Sequence, residues 1–155
     1  MTSQAPAESS QASIEANKAT VREVVDKVWN GADKAAIDRL YDPSFVFYVE
    51  GGGTMKGPES IKEWVDVIHG AFPDIKYVVE AQYAEGEKVA TRYSATGNHT
   101  GDFRGMPPSG KPISLTGHMI MRLADGRVAE GWGYWDTLGL LQELGVLPPM
   151  GPPRK

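Results

Sequence analysis

The sequence predicts an α+β fold, in which N-terminal helices precede a run of antiparallel strands and a short helix closes the chain. In the first part of the chain apolar residues recur at helical spacing, which indicates amphipathic helices. From Asp74 onward the period changes to two, which is typical of strands with one buried face. The Asp125-Gly126 pair between two such runs predicts a β-hairpin.

Three helices are predicted in the first half of the chain. The first covers residues 14–29, where Val and Trp side chains recur at helical spacing. Asp33 is a suitable N-cap for a short second helix. Pro58 fits the first turn of a third helix, whose apolar side consists of Ile61, Trp64, Val65 and Ile68.

Strands and a last helix fill the remaining chain. The stretch FVFYVE at residues 45–50 is rich in residues that favour strands and is followed by a three-glycine turn. Alternation and turn signals predict further strands at about 75–83, 87–98, 112–123 and 127–136. The final helix is TLGLLQELG, for which Asp136 is the expected N-cap. A curved sheet around the helices can enclose a pocket between the two layers.

Composition excludes several classes of protein. With 155 residues, of which 41% are hydrophobic, the chain fits one domain with a sizeable core. Sixteen basic and twenty acidic residues give a net charge of −4 without a basic cluster, which argues against nucleic-acid binding. There is no apolar run of membrane-spanning length and no cysteine, and the three widely spaced histidines suggest no metal site.

The two ends of the chain differ from its centre in composition. Residues 1–13 lack the basic start and apolar stretch of a secretory signal and are expected to be a disordered leader. Residues 148–155 are expected to be a flexible tail, which leaves 14–147 as the domain. A cytoplasmic location is the default expectation.

Three stretches give the sequence a family resemblance: KGPESIKEWV at 56–65, TGNHTGDFRGMPPSGKPISLTG at 96–117 and ADGRVAEGWGYWDTLGLLQELG at 124–145. With them the chain resembles the SnoaL-like polyketide cyclases of the nuclear transport factor 2-like superfamily. The resemblance implies a cone-shaped α+β barrel with a cavity, frequently a homodimer, and no cofactor. Because this superfamily is functionally mixed, its fold alone says little about chemistry.

The polar residues of the relatives are mostly replaced in this sequence. The resemblance places the acid that these cyclases use for proton transfer at Gly133, and their histidine on the partner strand at Met119. A first-helix tyrosine corresponds to Trp29, and a pocket asparagine or tyrosine to Phe47. The related limonene-epoxide hydrolases also have their aspartate at the position of Gly133.

A cavity face is expected from strict alternation of side chains along the strands. The glycines of EGWGYWDTLG leave room beside the strand, which we interpret as space for a ligand rather than a closed core. The alternative is plain core packing. The residues expected to bind a hydrophobic small molecule are Trp29, Phe47, Trp64, Ser94, Met119, Met121, Gly131, Gly133 and Trp135. The opposite face, expected to carry Trp132, Tyr134 and Tyr93, would pack in a dimer interface or on an outer helix.

Four side chains are candidates for catalysis. Arg92, which matches a polar residue of the epoxide-hydrolase site, can bind a carboxylate, enolate or phenolate, or can form a structural ion pair with Glu80, Asp102 or Glu130. His99 either titrates near neutrality or holds its loop by a hydrogen bond. His118 and Tyr48 reach the cavity only if a β-bulge reverses their faces.

Three functions are compatible with the sequence. The leading hypothesis is a cyclase for a hydrophobic polyketide-like or prenylated molecule, which closes a ring by templating, by non-standard acid and base groups, or by both. Epoxide opening by a hydrolase or cyclase is the nearest alternative, although Ser94 replaces an aspartate of that site. The third is a protein that binds a hydrophobic ligand without catalysis.

Overall fold

The computed structural model describes residues 11–152, except for the side chain of Glu50. Within this range the α-helices are α1 (Gln11–Glu23), α2 (Lys34–Leu40), α3 (Gly57–Ala71) and α4 (Thr137–Glu143). The strands are β1 (Tyr41–Val49), β2 (Thr54–Lys56), β3 (Lys76–Glu85), β4 (Lys88–Asn98), β5 (Pro112–Ala124) and β6 (Arg127–Trp135). The predicted α+β class is therefore confirmed. None of the helices in this range has the length and apolar character needed to cross a membrane.

The six strands form one open, mixed sheet in the order β2-β1-β6-β5-β4-β3. The expectation of a purely antiparallel sheet is wrong, because β1 runs parallel to β6, with Phe47 opposite Gly131. The expected barrel is likewise a sheet that does not close. Neither feature has a local sequence signal, since β1 and β6 lie at opposite ends of the domain and no hairpin turn fixes their pairing.

The first helix is longer and less regular than expected. It begins at Gln11 and changes at Val24–Asn30 into a π-helical segment. The Asn30 side chain accepts from Tyr77 N at 2.7 Å and donates to Tyr77 O at 3.0 Å. His69 Nε2–H donates to the Trp29 carbonyl oxygen at 2.8 Å. These tertiary bonds hold a conformation that helix propensity does not favour, and such segments are frequent at functional sites.

Both predicted N-caps are present. The Asp33 carboxylate accepts from Ala36 N at 3.0 Å at the start of α2, and the Asp136 carboxylate accepts from Gly139 N at 2.9 Å at the start of α4. Each bond satisfies an amide that the helix itself leaves unpaired. Residues 148–152 form no helix or strand, and residues 1–10 and 153–155 of the expected leader and tail lie outside the described range.

One face of the sheet packs against the helices, and we call it the inner face; the opposite one is the outer face. The core between the inner face and the helices is apolar and fully buried, with Val21, Val24, Val28, Ile37, Ile61, Ile68, Leu115, Met121 and Val128 among its members. Burial of this apolar surface is the main stabilising contribution to the fold. The core fills only part of the space between the layers.

Candidate functional site

A cavity of about 930 Å³ lies beside this core. It is bounded by the inner face, the π-helical segment, α3, α4 and the loop between β4 and β5. Its size is at the upper end of the range for pockets that bind drug-sized ligands, about 300 to 1,000 Å³. The chain therefore has room for a molecule of several fused rings.

Two groups of aromatic side chains line the cavity. In the first, which we call the Tyr77 end, Tyr77 packs against Trp29 and Tyr93, with ring centroids 5.8 and 5.7 Å apart. In the second, which we call the Trp135 end, Trp135 packs edge-on against Trp64 at 5.5 Å. Such tilted contacts are favourable for aromatic pairs and restrict the rings to defined positions. The cavity therefore has stiff, flat walls.

The floor between these ends contains Phe47, Met119 and Gly133. The Phe47 ring lies across both glycines of β6: a Cβ at Gly131 would overlap its Cδ2, and a Cβ at Gly133 would overlap its Cζ. The interpretation of these glycines as space left for a ligand is therefore wrong in part. They make room for Phe47, and the ligand space begins above its ring.

The structure distributes the nine residues expected to bind substrate over three places. Six of them line the cavity: Trp29, Phe47, Trp64, Met119, Gly133 and Trp135. Met121 and Gly131 are buried in the core below it. Ser94 lies on the outer face, where its hydroxyl donates to the Glu80 carboxylate at 2.7 Å. The role of the six as substrate contacts remains a prediction.

The expectation that Arg92 and Ser94 face the cavity is wrong. In the β4–β5 ladder Arg92 lies opposite His118 and Ser94 opposite Thr116, all on the exposed outer face. Residues directly opposite in a ladder share a face. Within residues 11–152, Arg92 also forms none of the ion pairs considered for it.

Tyr93, expected on the outer face, instead projects inward between Arg92 and Ser94. Gly117 lies opposite it, and a Cβ at Gly117 would overlap the Tyr93 phenol. A signal for this exists in the sequence, because Val89, Tyr93 and Ala95 share one side of β4 and Arg92, Ser94 and Thr96 share the other. The more apolar of the two sides is the buried one, whereas the position carried over from the epoxide hydrolases indicates the opposite side.

The other three candidates for catalysis also lie away from the cavity lining. His99 is 1% exposed, and its Nδ1 accepts from Ser109 N at 3.1 Å, so the ring holds the loop between β4 and β5. His118 is exposed on the outer face. Tyr48 stacks there on Trp132 with ring centroids 5.9 Å apart. The register shifts in the β1–β6, β3–β4 and β5–β6 pairs occur elsewhere along the strands and reverse neither residue.

Two groups at the cavity were missed by reasoning from the sequence. Tyr77 and Tyr93 bring phenol groups to one end, and burial, with Tyr93 adding to it, raises the pKa of Tyr77 above its ordinary value. The Tyr77 phenol is therefore neutral at physiological pH and can donate a hydrogen bond. Arg104 lies at the other end, in a loop for which periodicity gives no direction.

Among the described residues, the charged members of the cavity lining are Lys56, Glu63 and Arg104, all of which are exposed and lie at its rim. Within the described part of the chain, no three His, Asp or Glu side chains converge as metal ligands would. The site that these observations outline is a stiff aromatic cavity with phenols at one end and cations at its rim.

Comparison with known families and proteins agrees with this architecture. Residues 19–144 match the model of the SnoaL-like polyketide cyclase family. Aklanonic acid methyl ester cyclase DnrD of Streptomyces peucetius is 29% identical over 92 residues, which are 59% of this chain and 63% of that enzyme. The match thus covers less than two thirds of DnrD. Nogalonic acid methyl ester cyclase of Streptomyces nogalater is 28% identical over 94 residues, with coverages of 60% and 70%.

Solved structures show the same fold over nearly the whole chain. A candidate SnoaL-like polyketide cyclase from Jannaschia sp. CCS1 superposes with a TM-score of 0.79 at 27% identity, covering 96% of this chain and 100% of the other. AclR, a candidate hydroxylase from Streptomyces galilaeus, has a TM-score of 0.79 at 30% identity, with coverages of 89% and 86%. The predicted resemblance is confirmed.

Proposed function

Because this chain belongs to the SnoaL-like polyketide cyclase family, we propose that it closes a ring in a hydrophobic polyketide-like or prenylated molecule. One observation carries the proposal: a large cavity with stiff aromatic walls, in which the charged side chains among the described residues lie only at the rim. Such a cavity suits a flat, hydrophobic molecule that must adopt one folded shape before it reacts.

Templating is the mechanism that the cavity supports best. The side chains considered for proton transfer, His99, His118 and Tyr48, are absent from the cavity lining among residues 11–152. The position of the relatives' acid is Gly133, covered by the Phe47 ring. Holding the reacting ends of a chain together in the correct orientation can supply several kcal/mol of the barrier. This contribution needs no titratable group.

The phenol end of the cavity provides the polar contacts that templating requires. A neutral Tyr77 can donate to a carbonyl or enolate oxygen of the substrate, which fixes its position and stabilises developing negative charge. The tertiary bonds of Trp29 and Asn30 keep this end rigid. Preorganised donors cost no reorganisation during the reaction, so even one well-placed phenol contributes.

The two alternatives differ in their support. Epoxide opening is less well supported, because Arg92, the one residue that matches the epoxide-hydrolase site, lies on the outer face. Binding without catalysis retains support, since a cavity whose described lining lacks His99, His118 and Tyr48 and has Gly133 at the position of the relatives' acid would also suit a carrier of hydrophobic molecules. A test of the proposal must therefore measure turnover as well as binding.

Ring closure of aklanonic acid methyl ester, the compound in the name of the DnrD relative, is the first reaction to assay, under single-turnover conditions. Trp135→Ala removes part of a cavity wall and should slow ring closure at least about tenfold, since losing about 1.4 kcal/mol of orienting contact is enough for that factor. Trp132→Ala is the matched control three residues earlier on the outer face and should leave the rate nearly unchanged. Tight binding with no turnover would favour the carrier, and equal effects of the two variants would contradict a catalytic cavity.

We also propose that the protein is a homodimer formed through the outer face of the sheet. Aromatic and aliphatic side chains are exposed there, among them Tyr134 at 59% and Ile120 at 40%. The same face carries Arg92, Arg122, Glu80 and Glu130, so both signs of charge are available to a self-complementary twofold interface. Light scattering should give twice the chain mass for the wild type and the chain mass for Ile120→Asp; a monomeric wild type would contradict the proposal.

A further inference from the structure

The loop between β4 and β5 carries a cation to the rim of the cavity. The guanidinium of Arg104 lies over the Trp64 ring at 4.9 Å and over the Phe103 ring at 5.8 Å. Both rings belong to the cavity wall. Cation–π attraction of this kind holds the guanidinium beside the apolar opening.

The tip of this loop is well fixed by its own hydrogen bonds. Phe103 and Met106 exchange backbone hydrogen bonds of 3.0 and 2.9 Å. The Asp102 carboxylate accepts from Gly105 N at 2.9 Å, and Arg104 itself has a φ of 49°, in the left-handed region. The loop is anchored to α3 by Thr100 N and Gly101 N, both of which donate to Ala71 O at 3.1 Å. Arg104 is therefore presented by a defined turn.

The donors of this guanidinium have no protein partner in the described part of the chain. Among residues 11–152, Arg104 forms no ion pair and no hydrogen bond through its side chain. The contact with the two rings uses none of the guanidinium's five N–H donors in a conventional hydrogen bond. The donors of Arg104 thus remain available for an anionic oxygen.

The electrostatics of the rim favour an anion locally. Lys56 is the second cation of the rim, and Glu63 is its one carboxylate among the described residues. The chain as a whole has a net charge of −4, so long-range attraction would not draw an anion to the protein. Recognition of an anion therefore depends on contact with these rim cations.

We propose that Arg104 is an anion-recognition residue and that the substrate has a carboxylate or another anionic oxygen beside its flat hydrophobic body. This inference rests on the proposed function, because it takes the cavity as the substrate site. The hydrophobic body lies between the aromatic walls, and the anionic oxygen lies at the rim against the guanidinium. Arg104 thus takes the anion-binding role that the sequence suggests for Arg92 as one of two alternatives.

Two probes with the same flat body separate the cavity from its rim. Anthraquinone-2-carboxylate is anionic at pH 7.5 and its methyl ester is neutral, and quenching of the cavity tryptophans reports the binding of either. We expect Arg104→Gln to weaken binding of the carboxylate about tenfold or more, as for loss of a charged hydrogen bond, and to leave the ester unaffected. Arg104→Lys keeps the positive charge but loses the paired N–H donors of the guanidinium, and should weaken carboxylate binding less than Arg104→Gln does. Arg22→Gln, at an exposed arginine of α1 outside the cavity lining and the sheet, is the control and should change neither affinity.

Each further outcome has a definite meaning. Equal carboxylate affinity of the wild type and Arg104→Gln would overturn the assignment of Arg104 while leaving the cavity as a binding site. Equal losses for carboxylate and ester would assign Arg104 a purely structural role over Trp64 and also overturn it. Failure of both probes to bind the wild type would contradict the proposed function itself, and with it this inference.

Discussion

The outer and inner faces of the sheet carry side chains of different chemical character. The outer face carries Arg92, His118 and Tyr48, three of the four side chains that the sequence suggests for catalysis. The inner face carries mainly apolar and aromatic side chains, yet it lines the cavity. Residue types with catalytic potential were thus no guide to the position of the cavity in this chain. The face on which a side chain lies decides what it can reach.

Neighbouring residues on β1 show how much the two faces differ in packing. Phe47 is 8% exposed and fills the space over two glycines, while Tyr48 is 39% exposed and stacks on Trp132. Both are aromatic and both belong to one strand. Differences between them therefore arise from the face and from little else.

Truncation of these two residues should give the largest difference. Phe47→Ala leaves a cavity in the core and should lower the free energy of unfolding by about 3 to 5 kcal/mol. Tyr48→Ala removes one stacked surface pair and should lower it by about 1 kcal/mol. Urea denaturation of both variants at low protein concentration measures the two losses. Similar losses would show that the inner and outer faces do not differ in the way the burial indicates.

A substitution at Gly133 tests the same contact from the other strand. Gly133→Ala places a Cβ against the Phe47 ring and should cost about 1 to 3 kcal/mol, as overpacked positions do. In the Phe47→Ala background the same change should cost nothing, because the clash is gone. Gly70→Ala in α3, where a Cβ meets no atom within 4 Å, is the control and should be slightly stabilising. Additive effects of Gly133→Ala and Phe47→Ala would contradict the contact.

The sequence predicts elements better than it predicts faces. Helix caps at Asp33 and Asp136 and the Asp125-Gly126 hairpin depend on local chemistry, and the structure has all three. The parallel pairing of β1 with β6 depends on residues far apart in the chain, and no local sequence pattern predicts it. Short-range signals thus fix the elements, while long-range pairing decides their arrangement.

The errors at the site have the same origin. Alternation along β4 correctly places Arg92 and Ser94 on one face and Tyr93 on the other, but the match of Arg92 to the epoxide-hydrolase site favours the wrong one of these faces for the cavity. Arg104 could not be predicted at the rim, because its place depends on a loop that tertiary hydrogen bonds anchor to α3. Phe47 over the glycines requires the β1–β6 register, which only the structure gives.

The buried phenol of the inner face predicts a stability that is lost in alkali. Because the folded-state pKa of Tyr77 is raised, the unfolded chain releases this proton first as the pH rises through about 10. The contribution of the neutral phenol to the free energy of unfolding is therefore fully present below pH 10. Above pH 10 it declines by about 1.4 kcal/mol per pH unit for one such group. Tyr41, whose pKa burial also raises, should act in the same direction.

Tyr77→Phe tests this prediction without emptying the cavity wall. Between about pH 10 and 11 the free energy of unfolding should fall less steeply with pH in the variant than in the wild type, because one ionising phenol is gone from the unfolded state. Urea denaturation at several pH values measures the slope. An unchanged slope would mean that the Tyr77 phenol is accessible to solvent in the folded protein, contrary to its 7% exposure.

The smallest expected effect concerns the histidines, and it decides between templating and proton transfer. Described residues of the cavity lining include no histidine: His118 is on the outer face, His99 holds the β4–β5 loop, and His69 donates to the Trp29 carbonyl oxygen. Single-turnover ring closure should therefore be independent of pH between about 5.5 and 8.5, the range in which histidine ordinarily changes charge. His118→Gln should leave both the rate and its pH profile unchanged.

His99→Gln is the more demanding variant, because the ring accepts a hydrogen bond from Ser109 N inside the protein. A glutamine amide can accept a hydrogen bond in the same region but does not titrate, so a loss of rate that is the same at every pH would reflect the loop alone. An inflection in the wild type near pH 6.5 that disappears in His99→Gln would instead mean that this ring takes part in proton transfer. Templating by the inner face would then be insufficient, and the division of roles between the two faces would have to include the loop.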